Sequence, residues 1–225
     1  MKSAEKKTKY KLVCFDVDGT LVDEVFSVWR MVHRVMGIDQ GKLDRASEKY
    51  FRGQMTFREW ADHDIALWKE KGVTRADMEG IVSKFSVMPG AMETVKELRA
   101  KGLRLAVISG GIDLVLYRFF PDADRFFSHI VINRLTYNAD GTIDDCIVPP
   151  QFDHGDHKAK VLRDLAASEG VKVSECVFVG DAYNDIDAIK AAGLGIAFNA
   201  SDDVKKAANV VIEGKDLRGI LKHIV

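Results

Sequence analysis

The sequence predicts an α/β protein, a doubly wound parallel sheet carrying a helical insert. Three observations lead there. Short continuous apolar runs end in acidic or small polar residues, the mark of strands buried on both faces. Helical apolar patterns lie between several of these runs, giving the β-α alternation of a parallel sheet flanked by helices. One stretch, from Asp23 to Ser86, breaks the alternation with apolar residues at helical spacing alone.

In chain order, Leu12-Val13-Cys14-Phe15 is the first expected strand and runs directly into Asp16. Val25, Val28, Trp29, Val32, Val35 and Met36 then share one helical face, and segments over Asp44 to Arg52, Thr56 to Lys71 and Arg75 to Phe85 complete about four helices. Trp29, Trp60 and Trp68 all fall in this insert, where the readings are helix packing or, for one of them, a place in a substrate pocket. Met88-Pro89-Gly90 returns the chain to the core. A helix over Gly90 to Lys101 follows, and strands are expected over Leu103 to Ile108, Ile130 to Ile132, Cys176 to Val179, Leu194 to Phe198 and Val210 to Ile212. Helices over Lys158 to Glu169 and Ala182 to Ala192 separate the later ones. Residues 133–150, with Asn138-Ala139-Asp140-Gly141 at their centre, read as a β-hairpin, either a flap near the site or a decoration of the sheet edge. The expected organisation is a core of residues 1–22 and 87–225 with residues 23–86 inserted.

Of 225 residues, 47% are hydrophobic and 30% charged, with 18 Gly and 4 Pro, so disorder, a collagen-like chain and a disulfide scaffold are excluded. Lys and Arg number 33 against 34 Asp and Glu, and the net charge of -1 provides no field for nucleic acid or an anionic membrane. A small-molecule substrate is therefore expected, with the chain a monomer or homodimer. Cys14, Cys146 and Cys176 are odd in number and too scattered for a zinc site, which suggests reduced core thiols in a cytoplasmic setting. Lys2, Lys6, Lys7, Lys9 and Lys11 precede no apolar stretch that could be a signal peptide or membrane span and read as a solvated tail.

The chemistry collects at strand ends. Alternation along the extended chain Asp16-Val17-Asp18 points both carboxylates the same way, and two like charges that close call for a cation between them. A hard, oxygen-seeking ion such as Mg²⁺ fits that demand. Ser109-Gly110-Gly111 ends another strand with a hydroxyl and bare amides that can approach a phosphate oxygen. Gly180-Asp181, followed by Asn184 and Asp185, ends a third. In an open α/β sheet, ligands sit outside the carboxyl ends of the strands, so the three clusters should meet at one edge. The run Asp153-His154-Gly155-Asp156-His157 lacks a sulfur ligand and a helical His spacing, and is read as a solvated loop rather than a transition-metal site.

With Phe15-Asp16-Val17-Asp18-Gly19-Thr20, Val107-Ile108-Ser109-Gly110-Gly111, His157-Lys158-Ala159-Lys160 and Val179-Gly180-Asp181-Ala182-Tyr183-Asn184-Asp185 in order, the chain resembles the haloacid dehalogenase superfamily, and most its phosphoserine phosphatase branch. The resemblance implies a Rossmann-like core with an inserted helical cap domain over residues 23–86. It implies that Asp16 attacks phosphorus to form an aspartyl-phosphate and that Asp18 serves as acid and then base. Mg²⁺ would be held by the Asp16 side chain, the Asp18 carbonyl and Asp181, with Asp185 behind them. Thr20, Ser109, Gly110 and Asn184 would bind phosphate or substrate, and Lys158 would neutralise charge in the transition state. Lys160, two residues on, would point about 200° away on a helix.

The resemblance also locates a departure. Phosphoserine phosphatases read the serine ammonium with a glutamate where this chain has Val25, and its carboxylate partly with an arginine where an ungapped comparison around Phe57 puts Asp64. Glu24 is adjacent to Val25, but on a helix it would point about 100° away. Losing one charge-assisted hydrogen bond is worth about 1.5 to 3 kcal/mol. A different small phosphomonoester is expected, with an apolar or sugar-like leaving group facing Val25, Phe26 and Trp29. The alternatives are a phosphotransferase that passes the group to a second alcohol and a true phosphoserine phosphatase. A receiver-like signalling domain or a silent phosphate-binding regulator fits less well, because Asp18 and the cap serve turnover.

Overall fold

The computed structural model describes residues 8–153 and 157–225. The first seven residues lie outside that description, with Lys2, Lys6 and Lys7 of the expected tail. So do His154, Gly155 and Asp156 and the side chains of Asp153 and His157, and with them the expected loop.

Strand β1 (Leu12–Phe15) is wholly buried and is followed by the short β2 (Val22–Asp23). Four helices come next: α1 (Val28–Val35), α2 (Gln40–Phe51), α3 (Phe57–Glu70) and α4 (Arg75–Val82). The short β3 (Ser86–Val87) pairs antiparallel with β2 and so closes the base of this helical segment. Then follow α5 (Ala91–Ala100), β4 (Arg104–Ile112), α6 (Asp113–Phe119), α7 (Ala123–Phe126), β5 (His129–Tyr137) and β6 (Ile143–Ile147). The remainder is α8 (His157–Ser168), β7 (Cys176–Gly180), α9 (Ile186–Ala191), β8 (Leu194–Phe198), α10 (Asp202–Ala207), β9 (Val210–Ile212) and α11 (Leu221–Ile224).

The main sheet runs in the order β6-β5-β4-β1-β7-β8-β9, parallel throughout except for the antiparallel pair β5-β6. β1 is central, its four side chains shut off from water, and each such aliphatic or aromatic residue contributes about 1.5 to 3 kcal/mol of burial. The carboxyl ends of β1, β4 and β7 lie side by side because these strands are neighbours.

Several elements differ from the sequence reading. Val25 precedes α1, whose N-cap is Ser27, and Glu24 adopts a left-handed backbone at φ 65°. Glu24 and Val25 are therefore not on a helix, and Glu24 faces solvent while Val25 is buried. Phe26 is 67% exposed and Val35 47%, so neither joins the buried face of Val28 and Val32. Helix α2 starts four residues earlier than Asp44, because the Asp39 side chain accepts from the Lys42 amide and caps it. Thr56 and Glu59 form the capping box that opens α3. β4 continues through Ser109-Gly110-Gly111 instead of stopping at Ile108, and β5 is one strand from the sheet into the hairpin rather than two. The hairpin leans on the helices: the Arg58 guanidinium donates to the Cys146 carbonyl at 3.1 Å, and the Arg75 amide to the Gly141 carbonyl at 2.8 Å. The three cysteines are buried free thiols. Among the described residues no helix is long and apolar enough to cross a membrane.

Candidate active site

Asp16 follows β1 directly and is 4% exposed. Its Oδ1 accepts the Val17 amide at 2.8 Å and its Oδ2 lies 2.8 Å from Lys158 Nζ. Lys158, on α8, is fully buried and also donates to Asp185 Oδ1 at 2.5 Å. Burial works to strip its proton, but the charges of Asp16 and Asp185 prevail and hold the ammonium well above its ordinary range. Lys160 instead pairs along the helix with Asp164 at 2.7 Å.

Gly19 makes the turn after Asp18 at φ +78°, and a Cβ there would stand 2.3 Å from Asp181 Oδ2, so both the turn and the approach of Asp181 require glycine. Asp18 Oδ2 accepts the Val28 amide, the first of α1, at 2.7 Å, while its Oδ1 is buried without a partner. Burial and the neighbouring Asp16 raise the Asp18 carboxyl to about 7 against the pull of the Val28 amide and Lys158.

Thr20, expected toward phosphate, donates its hydroxyl to Asp181 Oδ1 at 3.2 Å in this structure. Asp185 Oδ2 accepts the Asp181 and Ala182 amides at 3.0 Å each, which fixes the loop after β7. Ser109 is buried, and its Oγ accepts the Gly111 amide at 3.1 Å. Asn184 is exposed, with Nδ2 3.5 Å from where a Cβ on Gly110 would stand. A Cβ on Gly111 would meet Asp18 Oδ1 at 2.9 Å, so the β4 loop and the β1 acid close on each other.

Asp16, Asp181 and Asp185 each offer a carboxylate oxygen within 4.8 Å of the others, all buried. Asp18 brings a fourth acid, against Lys158, the single buried lysine or arginine among the described residues. Burial, then Asp185 and Asp16, push the Asp181 carboxyl far above its usual range, and burial raises Asp185 even beside Lys158. A hard divalent cation would relieve this excess of negative charge, and an all-oxygen donor set suits one. The Asp18 carboxylate stands outside the three.

Other residues of the site were not singled out from the sequence. Asn133 Nδ2 donates to the Gly110 and Gly111 carbonyls at 2.8 and 3.0 Å, and its one visible signal is a polar residue following the apolar run Ile130 to Ile132. The Val28 amide on Asp18 has no signal, since backbone donors are the same at every residue.

The fold and these acids define a class that comparison bears out. The chain matches the haloacid dehalogenase-like hydrolase family over residues 10–193. It is 31% identical over 221 residues to a phosphoserine phosphatase of Methanocaldococcus jannaschii, covering 96% of this chain and 98% of that one. It is 34% identical to the phosphoserine phosphatase SerB2 of Mycobacterium tuberculosis over 94% of this chain, but spans only 49% of that protein's length. A solved structure described as a phospho-aspartyl intermediate analogue of phosphoserine phosphatase superposes with TM-score 0.76 at 30% identity, over 96% of this chain and 99% of that one. The chain belongs to the haloacid dehalogenase-like hydrolases and is a phosphatase-type enzyme similar to the phosphoserine phosphatases.

Proposed function

We propose that the chain hydrolyses a small phosphomonoester other than phosphoserine through an aspartyl-phosphate on Asp16, with Mg²⁺ as cofactor. The observation that carries this reading is the buried pair of acids two residues apart: Asp16 clamped by Lys158, and Asp18 with an unpartnered oxygen beside the β4 loop. Asp16, Asp181 and the Asp18 carbonyl would hold the ion, which supplies charge neutralisation for carboxylate and phosphate.

In the first step an Asp16 oxygen bonds to phosphorus as the ester P–O bond breaks, and Asp18 gives its proton to the leaving alkoxide. In the second, water bonds to phosphorus as the Asp16–phosphorus link breaks, and Asp18 takes the water proton. Ser109, the Gly110 amide and Lys158 hold the phosphoryl oxygens through both. The four helices α1–α4 act as a cap that excludes bulk water. Val25 and Asp64 support a substrate without the serine head: Val25 is buried and apolar, and Asp64 is drawn inward to His63 at 2.9 Å and His33 at 3.6 Å.

Phosphate release from a panel of esters including L-phosphoserine, with Mg²⁺ or chelator, tests the reading. Metal-dependent release lost in Asp16→Asn is expected, with phosphoserine ranking low. A product other than inorganic phosphate when alcohols are added would favour phosphotransfer, and phosphoserine ranking first would restore the relatives' substrate.

A further inference from the structure

We infer that the recess between α2 and α3 is a binding site for a small multivalent oxyanion, a polyphosphate or polycarboxylate, apart from the candidate active site. A pocket of about 160 Å³ opens there, lined by Lys42, Arg45, Ala46 and Lys49 of α2, Met55 of the connecting loop and His63 of α3. Steps of three and four residues bring Lys42, Arg45 and Lys49 to one face of α2. Between them the buried Ala46 adds only a methyl group, so the recess stays open. His63 is held by Asp64, whose Oδ1 lies 2.9 Å from its Nδ1. These side chains belong to another flank of α2 than Tyr50, which feels the charge of Lys158: Tyr50 follows Lys49 by one residue, a turn of about 100°.

In a chain with a net charge of only -1, the positive charge gathered here is local. Arg45 and Lys49 pair with no carboxylate among the described residues, because the acids of both helices are engaged elsewhere. On the α2 side, Asp39 Oδ1 accepts the Lys42 amide, Asp44 accepts from the Gln40 side chain and Glu48 holds Arg52. Along α3, Glu59 closes the capping box with Thr56, Asp62 holds Arg58, and Asp64 is shared by His63 and His33. Glu70 reaches Lys42 at 3.8 Å, an exposed pair that water screens. Asp39 comes nearest to Arg45: the two stand 3.1 and 3.2 Å from where a Cβ on Gly41 would be, without forming an ion pair. An entering oxyanion therefore meets two uncommitted cations with Lys42 and His63 beside them, and the Arg45 guanidinium can grip two oxygens at once. The recess is smaller than the roughly 300 to 1,000 Å³ of a metabolite pocket. Asp39, Glu48 and Glu70 would repel a polyanionic surface, so one small anion is favoured over nucleic acid or a membrane.

The test is isothermal titration calorimetry of inorganic pyrophosphate and of citrate into metal-free protein at low ionic strength, the chelator having been dialysed away. Without metal, the four acids around Lys158 make the candidate active site unfavourable to anions. At least one of the two anions should bind, more weakly as KCl is added. Arg45→Gln combined with Lys49→Gln should weaken that binding by about tenfold or more, while Ser109→Ala should leave it within about twofold. Both replaced side chains are exposed on α2 and Gln is a good helix former, so the urea midpoint of the anion-free double variant should match that of the wild type. Its kcat/KM on phosphomonoesters should match as well. Failure of both anions to bind, binding that survives in the double variant, or binding lost in Ser109→Ala overturns the inference. So does a fall in kcat/KM in the double variant, which would put these cations in the substrate's path. The binding is read without metal or turnover, so the inference and the hydrolase reading fail separately.

Discussion

Lys158 is the residue on which the site's charge balance turns, since among the described residues it is the one cation buried with Asp16, Asp18, Asp181 and Asp185. Replacing it by Met should leave Asp16 and Asp185 facing each other uncompensated, a loss of about 3 to 5 kcal/mol. A urea midpoint at pH 7 reads that loss directly. Asp18→Asn keeps an oxygen for the Val28 amide but cannot exchange a proton. Phosphate release should drop by about 10² to 10⁴, with the urea midpoint little changed, so the two variants separate folding from turnover. At this scale the sequence already carried much of the site: Asp16, Asp18, Ser109, Asp181 and Asp185 do converge, and the helical angle between Lys158 and Lys160 does send one inward and one to Asp164. The Thr20 hydroxyl on Asp181 and the Asn133 amide on the glycine carbonyls were hidden, because which partner a short polar side chain reaches depends on the fold around it.

At the scale of elements, α1 and α3 are joined through buried titratable groups. His33 on α1 meets Asp64 on α3, with His63, Arg30 and the Trp68 ring around it. Burial, helped by His63 and Arg30, lowers the His33 imidazole to about 4 from 6.5, so its contribution to stability is complete above pH 6.5 and is lost as pH falls toward 4. Burial lifts Asp64 to about 6 from 3.8, against the pull of His63, so its contribution runs the other way, complete below 3.8 and lost as pH rises through 6. The two oppose each other. His33→Phe should flatten or reverse the loss of stability between pH 6.5 and 4, and Asp64→Asn should steepen it, each by on the order of 1 to 2 kcal/mol; urea midpoints at pH 7 and pH 5 measure both. Long amphipathic elements such as α3 and α5 were legible to within a residue or two. The short helices α6, α7, α10 and α11 and the two-residue strands β2 and β3 were not, because so few residues establish no period.

For the whole molecule, the acids are buried beside α1, whose Val28 amide meets Asp18 and whose Trp29 meets Gly110, and in the proposed function α1–α4 have to admit a substrate. Asp16, Asp18 and Asp181 are 4%, 7% and 8% exposed, yet Asn184 at the rim is open. Amide hydrogen exchange should be faster in α1–α4 than in β1, β4 and β7, and should slow in the helices when Mg²⁺ and inorganic phosphate are added together. Equal protection in both regions would count against a moving cap. Mg²⁺ alone should raise the Tm of chelator-treated protein by several degrees at saturating concentration, and Asp181→Asn should remove most of that rise. The fold class was legible because a parallel sheet writes its strands as continuous apolar runs. The bearing of the β5-β6 hairpin on α3 and α4 was not, since it depends on contacts between residues far apart in the chain, such as Arg58 with Cys146.

The register between β4 and β5 shifts between Ser109 and Ile112, so Gly110 and Gly111 have no residue opposite them. An extrusion of one residue would have turned every later side chain of β4 to the wrong side of the sheet. Two residues keep the count even, and Ile112 falls back into step, fully buried, opposite Asn133. The glycines are thus spliced into the strand like a parenthesis that leaves the sentence around it grammatical: their backbone can be bent to suit an anion while the packing beyond them is undisturbed.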